Sequence, residues 1–301
     1  MNQLLGEIAR LKKEKDAVIL AHYYVEDQVK AAADYVGDSY YLARLATELP
    51  QRTIVLCGVT FMGESVKLLN PDKTVLMPDL SAGCPMAEMY DLAEIRRLKG
   101  EVADLAVVCY VNSTLELKGE ADVCVTSANA VKVVQGMPQR NIYFVPDENL
   151  GGFVAQQVPE KQFILHNGSC CVHTGIRTAD LEQARQDYPN AEVLSHPECR
   201  PEILALSDYI GSTSGILKRA GESTASELII CTEMGILDEL KRSCPDKTFV
   251  FPGERVCASM KKVTLEKIRE VLRGGSNEIR IMDGNTEQAA ATLERMLLLA
   301  N

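Results

Sequence analysis

The sequence predicts an α/β protein of three pseudo-symmetric repeats, each a small four-stranded parallel sheet flanked by helices, arranged around a central active site. Three observations predict it. Strand-like runs recur in the same order three times along the 301 residues. An aspartate recurs within each block at positions 34, 122 and 208, steps of 88 and 86 residues. A cysteine closes each block at positions 84, 170 and 257, steps of 86 and 87.

Each block opens with a short aliphatic run that ends in polar residues, as a buried parallel strand does. The three runs are Val18-Ile19-Leu20-Ala21-His22, Ala106-Val107-Val108-Cys109-Tyr110 and Ala191-Glu192-Val193-Leu194-Ser195-His196. A second strand carries the recurring aspartate over 33–39, 121–127 and 207–213, and ends in Ser or Thr before a helical stretch, which is N-cap chemistry. Third strands are expected over 53–57, 142–145 and 228–231. Fourth strands, over 74–77, 162–165 and 248–251, follow Pro71-Asp72-Lys73, Pro159-Glu160-Lys161 and Pro245-Asp246-Lys247. The chain thus divides into repeats 1–100, 101–187 and 188–272, with a C-terminal amphipathic helix within 273–301 packing on the first.

Composition limits the function. With 46% hydrophobic residues the chain can bury a large core. A net charge of −10 argues against a general nucleic-acid or anionic-membrane binder. No run of about 18 apolar residues is present, so no transmembrane helix is expected. The start, with Lys12, Lys13, Glu14, Lys15 and Asp16, is not a secretory signal, and a cytoplasmic location follows as the expectation.

Ten cysteines in a chain of this size, without a signal, read as reduced thiols rather than a disulfide framework. Cys57, Cys109 and Cys231 lie in strand-like runs and read as small buried hydrophobes. No Cys-x-x-Cys pair is present, so a metal site has to gather cysteines from far apart. Three units about a pseudo-threefold axis would bring Cys84, Cys170 and Cys257 to one point. Thiolates favour iron–sulfur clusters, zinc or copper. A [4Fe-4S] cube held by three cysteines leaves one iron open as a Lewis acid. Zinc on three cysteines with an open fourth position is the competing reading.

In parallel sheets, ligands bind beyond the carboxyl ends of the strands. That rule brings His22, Tyr23 and Tyr24, then Tyr110, Val111, Asn112 and Ser113, then His196, Pro197, Glu198 and Cys199 to the axis. The helix-capping residues Asp38, Ser39, Ser127, Ser212 and Thr213 are candidate anion sites as well as ordinary N-caps. Of the four histidines, His22 and His196 occupy the same place in two repeats, His173 lies three residues after Cys170, and His166 reads as structural. Histidine suits acid–base work or hydrogen bonds to anions.

These motifs resemble the quinolinate synthase (NadA) family. The stretches that carry the resemblance are Leu20-Ala21-His22-Tyr23-Tyr24, Gly37-Asp38-Ser39, Gly58-Val59-Thr60-Phe61-Met62, Cys84-Pro85-Met86 and Tyr110-Val111-Asn112-Ser113-Thr114. They continue with Thr126-Ser127-Ala128-Asn129-Ala130, Pro146-Asp147-Glu148-Asn149-Leu150-Gly151, Gly168-Ser169-Cys170-Cys171-Val172-His173 and His196-Pro197-Glu198-Cys199. Gly211-Ser212-Thr213, Thr232-Glu233-Met234-Gly235 and Cys257-Ala258-Ser259-Met260-Lys261 complete them, so the match spans nearly the whole chain in order.

The resemblance implies three α/β domains around a [4Fe-4S] cluster with three cysteine ligands and one open iron. It implies condensation of iminoaspartate with dihydroxyacetone phosphate to quinolinate, phosphate and two waters, in NAD biosynthesis, with a functional link to L-aspartate oxidase. Carried over by motif, Glu198 is the main acid–base group, assisted by Tyr24, His196 and Tyr110. His22, Asp38, Ser39, Met62, Asn112, Ser127, His173, Ser212 and Thr213 are substrate ligands, together with Tyr110, His196 and Glu198. Spacing leaves Cys170 and Cys171 equivalent as the second ligand; the family pattern Gly-x-Cys-x-Val-His selects Cys170. An aconitase-like hydro-lyase needs fewer acid–base groups than these tips supply. An iron or redox sensor would need an appended binding segment for which the repeats leave only the chain ends.

Overall fold

The computed structural model describes residues 2–281 and 286–300. Its strands form three four-stranded sheets. In the first, β1 (Ala17–His22), β2 (Tyr35–Gly37), β3 (Thr53–Cys57) and β4 (Thr74–Leu76) lie in the order β2-β1-β3-β4. The second, from β5 (Leu105–Tyr110), β6 (Val123–Val125), β7 (Asn141–Val145) and β8 (Gln162–Leu165), has the order β6-β5-β7-β8. The third, from β9 (Glu192–Ser195), β10 (Tyr209–Ile210), β11 (Glu227–Cys231) and β12 (Thr248–Val250), has the order β10-β9-β11-β12. Every pairing is parallel. All six residues of β1 are buried, as the apolar runs of a sheet covered on both faces require.

The recurring aspartate closes the edge of each sheet. Asp34, Asp122 and Asp208 each lie just before the second strand. Their carboxylates accept the backbone N–H of Ile19, Val107 and Val193 at 2.8, 2.7 and 2.8 Å. Each aspartate's own N–H is given to the carbonyl of that same partner, at 2.8, 2.9 and 2.9 Å. The side chain therefore adds one rung to the parallel ladder before β2, β6 or β10 begins, and leaves no orphaned N–H at the strand edge.

The recurring lysine has a comparable task. Lys73 Nζ donates to the carbonyls of Ala46 and Leu49, both at 2.7 Å. Lys161 Nζ reaches Met137 and Gln139 at 2.6 and 2.7 Å, and Lys247 Nζ reaches Ser223. In each unit a cation thus meets unpaired carbonyls at the end of the helix that follows the second strand.

The helix after each closing cysteine crosses to the next unit. Leu92–Glu101 packs on β5. Thr178–Asp187 buries Leu181 and Ala184 against Val193, Ile203 and Ile229 of the third unit. Leu265–Gly274 packs on β3 and on the N-terminal helix Asn2–Glu14 of the first unit, which closes the ring. The spatial units are therefore offset by one helix from the sequence repeats 1–100, 101–187 and 188–272.

Within 273–301, Gly275 ends the preceding helix at φ 61°, and an antiparallel bridge joins Glu278 to Leu76. The C-terminal helix is Thr286–Ala300. It packs on β6 and on the helices Leu115–Glu120 and Ala130–Gly136 of the second unit, and on Thr60–Leu69 of the first, bridging the two. Residues 282–285 and 301 of that stretch lie outside the described residues.

Asp122→Ala removes the acceptor of Val107 N–H and leaves that donor inside the sheet. Urea unfolding should show a loss of about 1–3 kcal/mol with an unchanged denaturant slope. Unaltered stability would show that the added rung contributes nothing.

Candidate active site

The carboxyl ends of the central strands converge on one cleft of about 860 Å³, part of it open to solvent. Two sets of tip residues, related by the 88- and 86-residue steps, line it. His22, Tyr110 and His196 stand at the ends of β1, β5 and β9. Two residues further on stand Tyr24, Asn112 and Glu198. The helix starts after β2 and β10 add Ser39 and Thr213, while Ser127, expected as a helix cap, sits in the turn before Ala130–Gly136, whose N-cap is Asn129.

The two tip histidines are built alike. His22 Nδ1 accepts the backbone N–H of Tyr24 at 3.2 Å, and His196 Nδ1 accepts that of Glu198 at 3.3 Å. An imidazole whose Nδ1 accepts carries its proton on Nε2 when neutral. Burial lowers both to about 3, assisted at His196 by the adjacent His173. Both rings are therefore neutral at ordinary pH and present Nε2–H as a donor. For His196, expected to assist acid–base chemistry, this geometry supplies a hydrogen bond; its Nε2 lies 3.2 Å from Ser127 Oγ.

Glu198 is 3% exposed and sits at the centre of the remaining contacts. Tyr110 OH donates to its Oε1, and His173 Nδ1 lies 2.6 Å from its Oε2. Burial alone would raise its pKa, but His173, His196 and the Tyr110 hydroxyl outweigh burial and hold it far below the usual carboxylate range. Tyr110 and Tyr24 are pushed well above the usual phenol range, by burial first and by the Glu198 charge. The site therefore joins an ionised carboxylate to two protonated phenols, one of them bonded to it. His173 stacks on His196 with ring centroids 4.5 Å apart.

Cys84, Cys170 and Cys257 line the same cleft, each on the loop that follows its unit's fourth strand. All three are free and partly buried. Burial raises all of their thiols, that of Cys84 to about 12. A cation is thus required to hold them as thiolates, and three soft donors from three loops fit a cluster face. Two buried carboxylates fix two of these loops. Asp147 accepts Cys170 N–H at 3.2 Å, and Glu233 accepts Cys257 N–H at 3.0 Å. Cys171 also lines the cleft but is exposed.

Among the described residues, ligand atoms of Cys170, His173 and Glu198 lie within 4.8 Å of one another, close enough to share one metal ion. His173 and Glu198 already bond to each other there, and His173 Nε2 is engaged by Thr232 at 2.9 Å. Their donor capacity is met within the protein.

Two expected ligands do not line the cleft. Met62 is buried behind the wall with its sulfur near Gly58, and Ser212 Oγ caps its helix by accepting Gly215 N–H at 3.2 Å. Asp38 lines the cleft, yet its carboxylate is occupied by Tyr41 N–H and by the Ser214 hydroxyl at 2.9 and 2.5 Å. Sequence reasoning on individual residues passed over Tyr40, Phe61, Val172 and Met260 in the wall. It passed over Thr232 as well; the register of strand-3 tips could have found that residue. His166 lies away from the cleft, 2.7 Å from Tyr143 OH.

Among the described residues, no helix is long and apolar enough to cross a membrane. A family model described as "Quinolinate synthetase A protein" matches residues 6–298. A quinolinate synthase of Fusobacterium nucleatum is 49% identical over 293 residues, covering 97% of this chain and 98% of the relative. One from Clostridioides difficile is 47% identical over 298 residues, covering 99% and 98%. One from Aquifex aeolicus is 43% identical over 306 residues, covering 100% and 95%.

The two neutral histidines make a pH prediction. Their pKa values fall from the ordinary 6.5 to about 3 on folding, so between these values the unfolded chain binds more protons than the folded one. Stability falls as pH falls through that window, by roughly 1.4 kcal/mol per pH unit for each histidine. Urea unfolding of reduced protein at several pH values should show a slope lower by about one proton in His196→Asn. Equal slopes would place a charged imidazole at His196.

Proposed function

The chain belongs to the quinolinate synthetase A family, and on that premise we propose that it is a quinolinate synthase. It condenses iminoaspartate with dihydroxyacetone phosphate to quinolinate, phosphate and two waters in NAD biosynthesis. The observation that carries the proposal is the meeting of Cys84, Cys170 and Cys257 with the Glu198 network on one cleft. We propose the cytoplasm as its location, a functional link to L-aspartate oxidase as imine source, and no nucleic-acid partner, in keeping with the net charge of −10.

Cys84, Cys170 and Cys257 would hold a [4Fe-4S] cluster, which when bound supplies an open Lewis-acidic iron for a substrate oxygen. The chain's own side chains supply the rest. Glu198, ionised and buried, accepts a proton from the condensing substrates, and Tyr110, bonded to its Oε1, can donate one in return. Tyr24 OH, on the facing unit, is the second phenolic acid. His22 and His196 give Nε2–H to substrate oxygens without becoming charged. Ser39 and Thr213 stand at helix starts, where backbone N–H groups favour carboxylate and phosphate, and Ser127 adds a hydroxyl from the turn before Ala130–Gly136. Asn112 adds an amide to the same wall.

Protein purified without oxygen should release quinolinate and phosphate in equal amounts from the two substrates. Glu198→Gln, which keeps the shape and removes the base, should lower turnover by roughly 10²–10⁴-fold with the cluster retained. Parent protein that holds iron but yields only a dehydrated hydroxy acid would favour a hydro-lyase and defeat the proposal.

A further inference from the structure

Thr232 lies one residue beyond β11 and is 1% exposed. Its Oγ1 stands 2.9 Å from His173 Nε2 and 3.0 Å from Tyr24 OH. One hydroxyl in the third unit thus touches a side chain beside the second unit's cysteine and another at the first unit's strand tip. The register positions of Thr232 in the other units are Gly58 and Pro146, which carry no hydroxyl. The third repeat alone can make this connection.

His173 Nδ1 faces Glu198 Oε2 at 2.6 Å and Cys170 Sγ at 3.3 Å. A carboxylate only accepts, so Nδ1 carries a proton, whereas the Nδ1 atoms of His22 and His196 accept. With Nδ1 turned to Glu198, Nε2 is left facing Thr232 Oγ1, which also meets Tyr24 OH, and Tyr24 OH lies 2.7 Å from Thr213 Oγ1. The contacts run Thr213, Tyr24, Thr232, His173, Glu198.

We propose that Thr232 is a positioning residue for the reaction: its hydroxyl holds the His173 ring with Nδ1 turned to Glu198 and fixes the Tyr24 phenol through the same oxygen. The two acid–base groups on opposite units are then joined by one hydrogen-bond chain. This rests on the reading of Glu198 and Tyr24 as the reacting acid–base pair. Thr213 still holds Tyr24 when Thr232 is changed, so the effect falls on orientation and leaves substrate contacts in place.

The test uses holoenzyme purified without oxygen, as parent, Thr232→Val, Thr232→Ala and Thr232→Ser. Val keeps the shape and removes the hydroxyl; Ala does so without a branched side chain. Turnover should fall about 10–100-fold in Val and Ala, within the range of misplaced catalytic groups, with KM and iron content near parental, and Ser should recover most of it. Imidazole ¹⁵N spectra, with His173 assigned by its loss in His173→Gln, should show Nδ1–H at His173 in the parent and a shifted Nε2 signal in Val, where its partner is gone. Parental turnover in Val, equal loss in Ser and Val, loss of iron with the hydroxyl, or a His173 Nε2 signal unchanged in Val would each overturn the inference. A parent without quinolinate formation would defeat the functional reading, and the imidazole spectra would still decide the role of Thr232.

Discussion

Parallel strands leave every carboxyl end of a sheet on the same edge, because each pair is joined by a crossover rather than a hairpin. In this chain that constraint acts three times around one axis. The tips of β1, β5 and β9, the helix starts after the second strands and the loops after the fourth strands all meet at one cleft. The helices that cross from each cysteine to the next unit keep the three edges turned toward one another. Cysteines 86 and 87 residues apart can then share one group without any local binding motif.

Symmetry supplies the positions, and departures from it supply the chemistry. Histidine, tyrosine and histidine occupy one tip position; tyrosine, asparagine and glutamate occupy the next. The backbone treats His22 and His196 identically, holding each Nδ1 as an acceptor, so both serve as neutral donors. Glu198 is the one carboxylate among these tip positions, and its burial is offset by the Tyr110 hydroxyl and His173. A buried carboxylate without such partners would take up a proton and could not act as a base. Asp147 and Glu233, also buried, instead spend their acceptor capacity on the cysteine loops, and burial raises both.

Much of this was legible in the sequence, because a repeat whose steps vary by one or two residues fixes register as well as topology. The strands lie along the runs, but the second strands shrink to two or three residues and leave the recurring aspartates just before them, and Met77, Ala191, His196 and Phe251 fall just past strand ends. Of the tip residues, His22, Tyr24, Tyr110, Val111, Asn112, His196 and Glu198 line the cleft with the three cysteines, while Tyr23, Ser113, Pro197 and Cys199 do not. The recurring aspartate and lysine marked the repeat, but their bonds to strand edges and helix ends needed coordinates. The crossing of Leu92–Glu101, Thr178–Asp187 and Leu265–Gly274 was not legible, since an amphipathic helix names its buried face and not the sheet that covers it. Ser212 and Met62 belong to motifs, yet one is used by its own helix and the other by the core. Residues inside a motif do not all face the cleft.

The central claim is that Cys84, Cys170 and Cys257, and not Cys171, hold one cluster. The most direct measurement is iron and sulfide content with a Mössbauer spectrum, on protein purified without oxygen, for the parent and the four single Cys→Ala variants. The account predicts about four irons and four sulfides per chain in the parent and in Cys171→Ala, and loss of both in the other three. Zinc or no metal in the parent, or loss in Cys171→Ala with retention in Cys170→Ala, would contradict it.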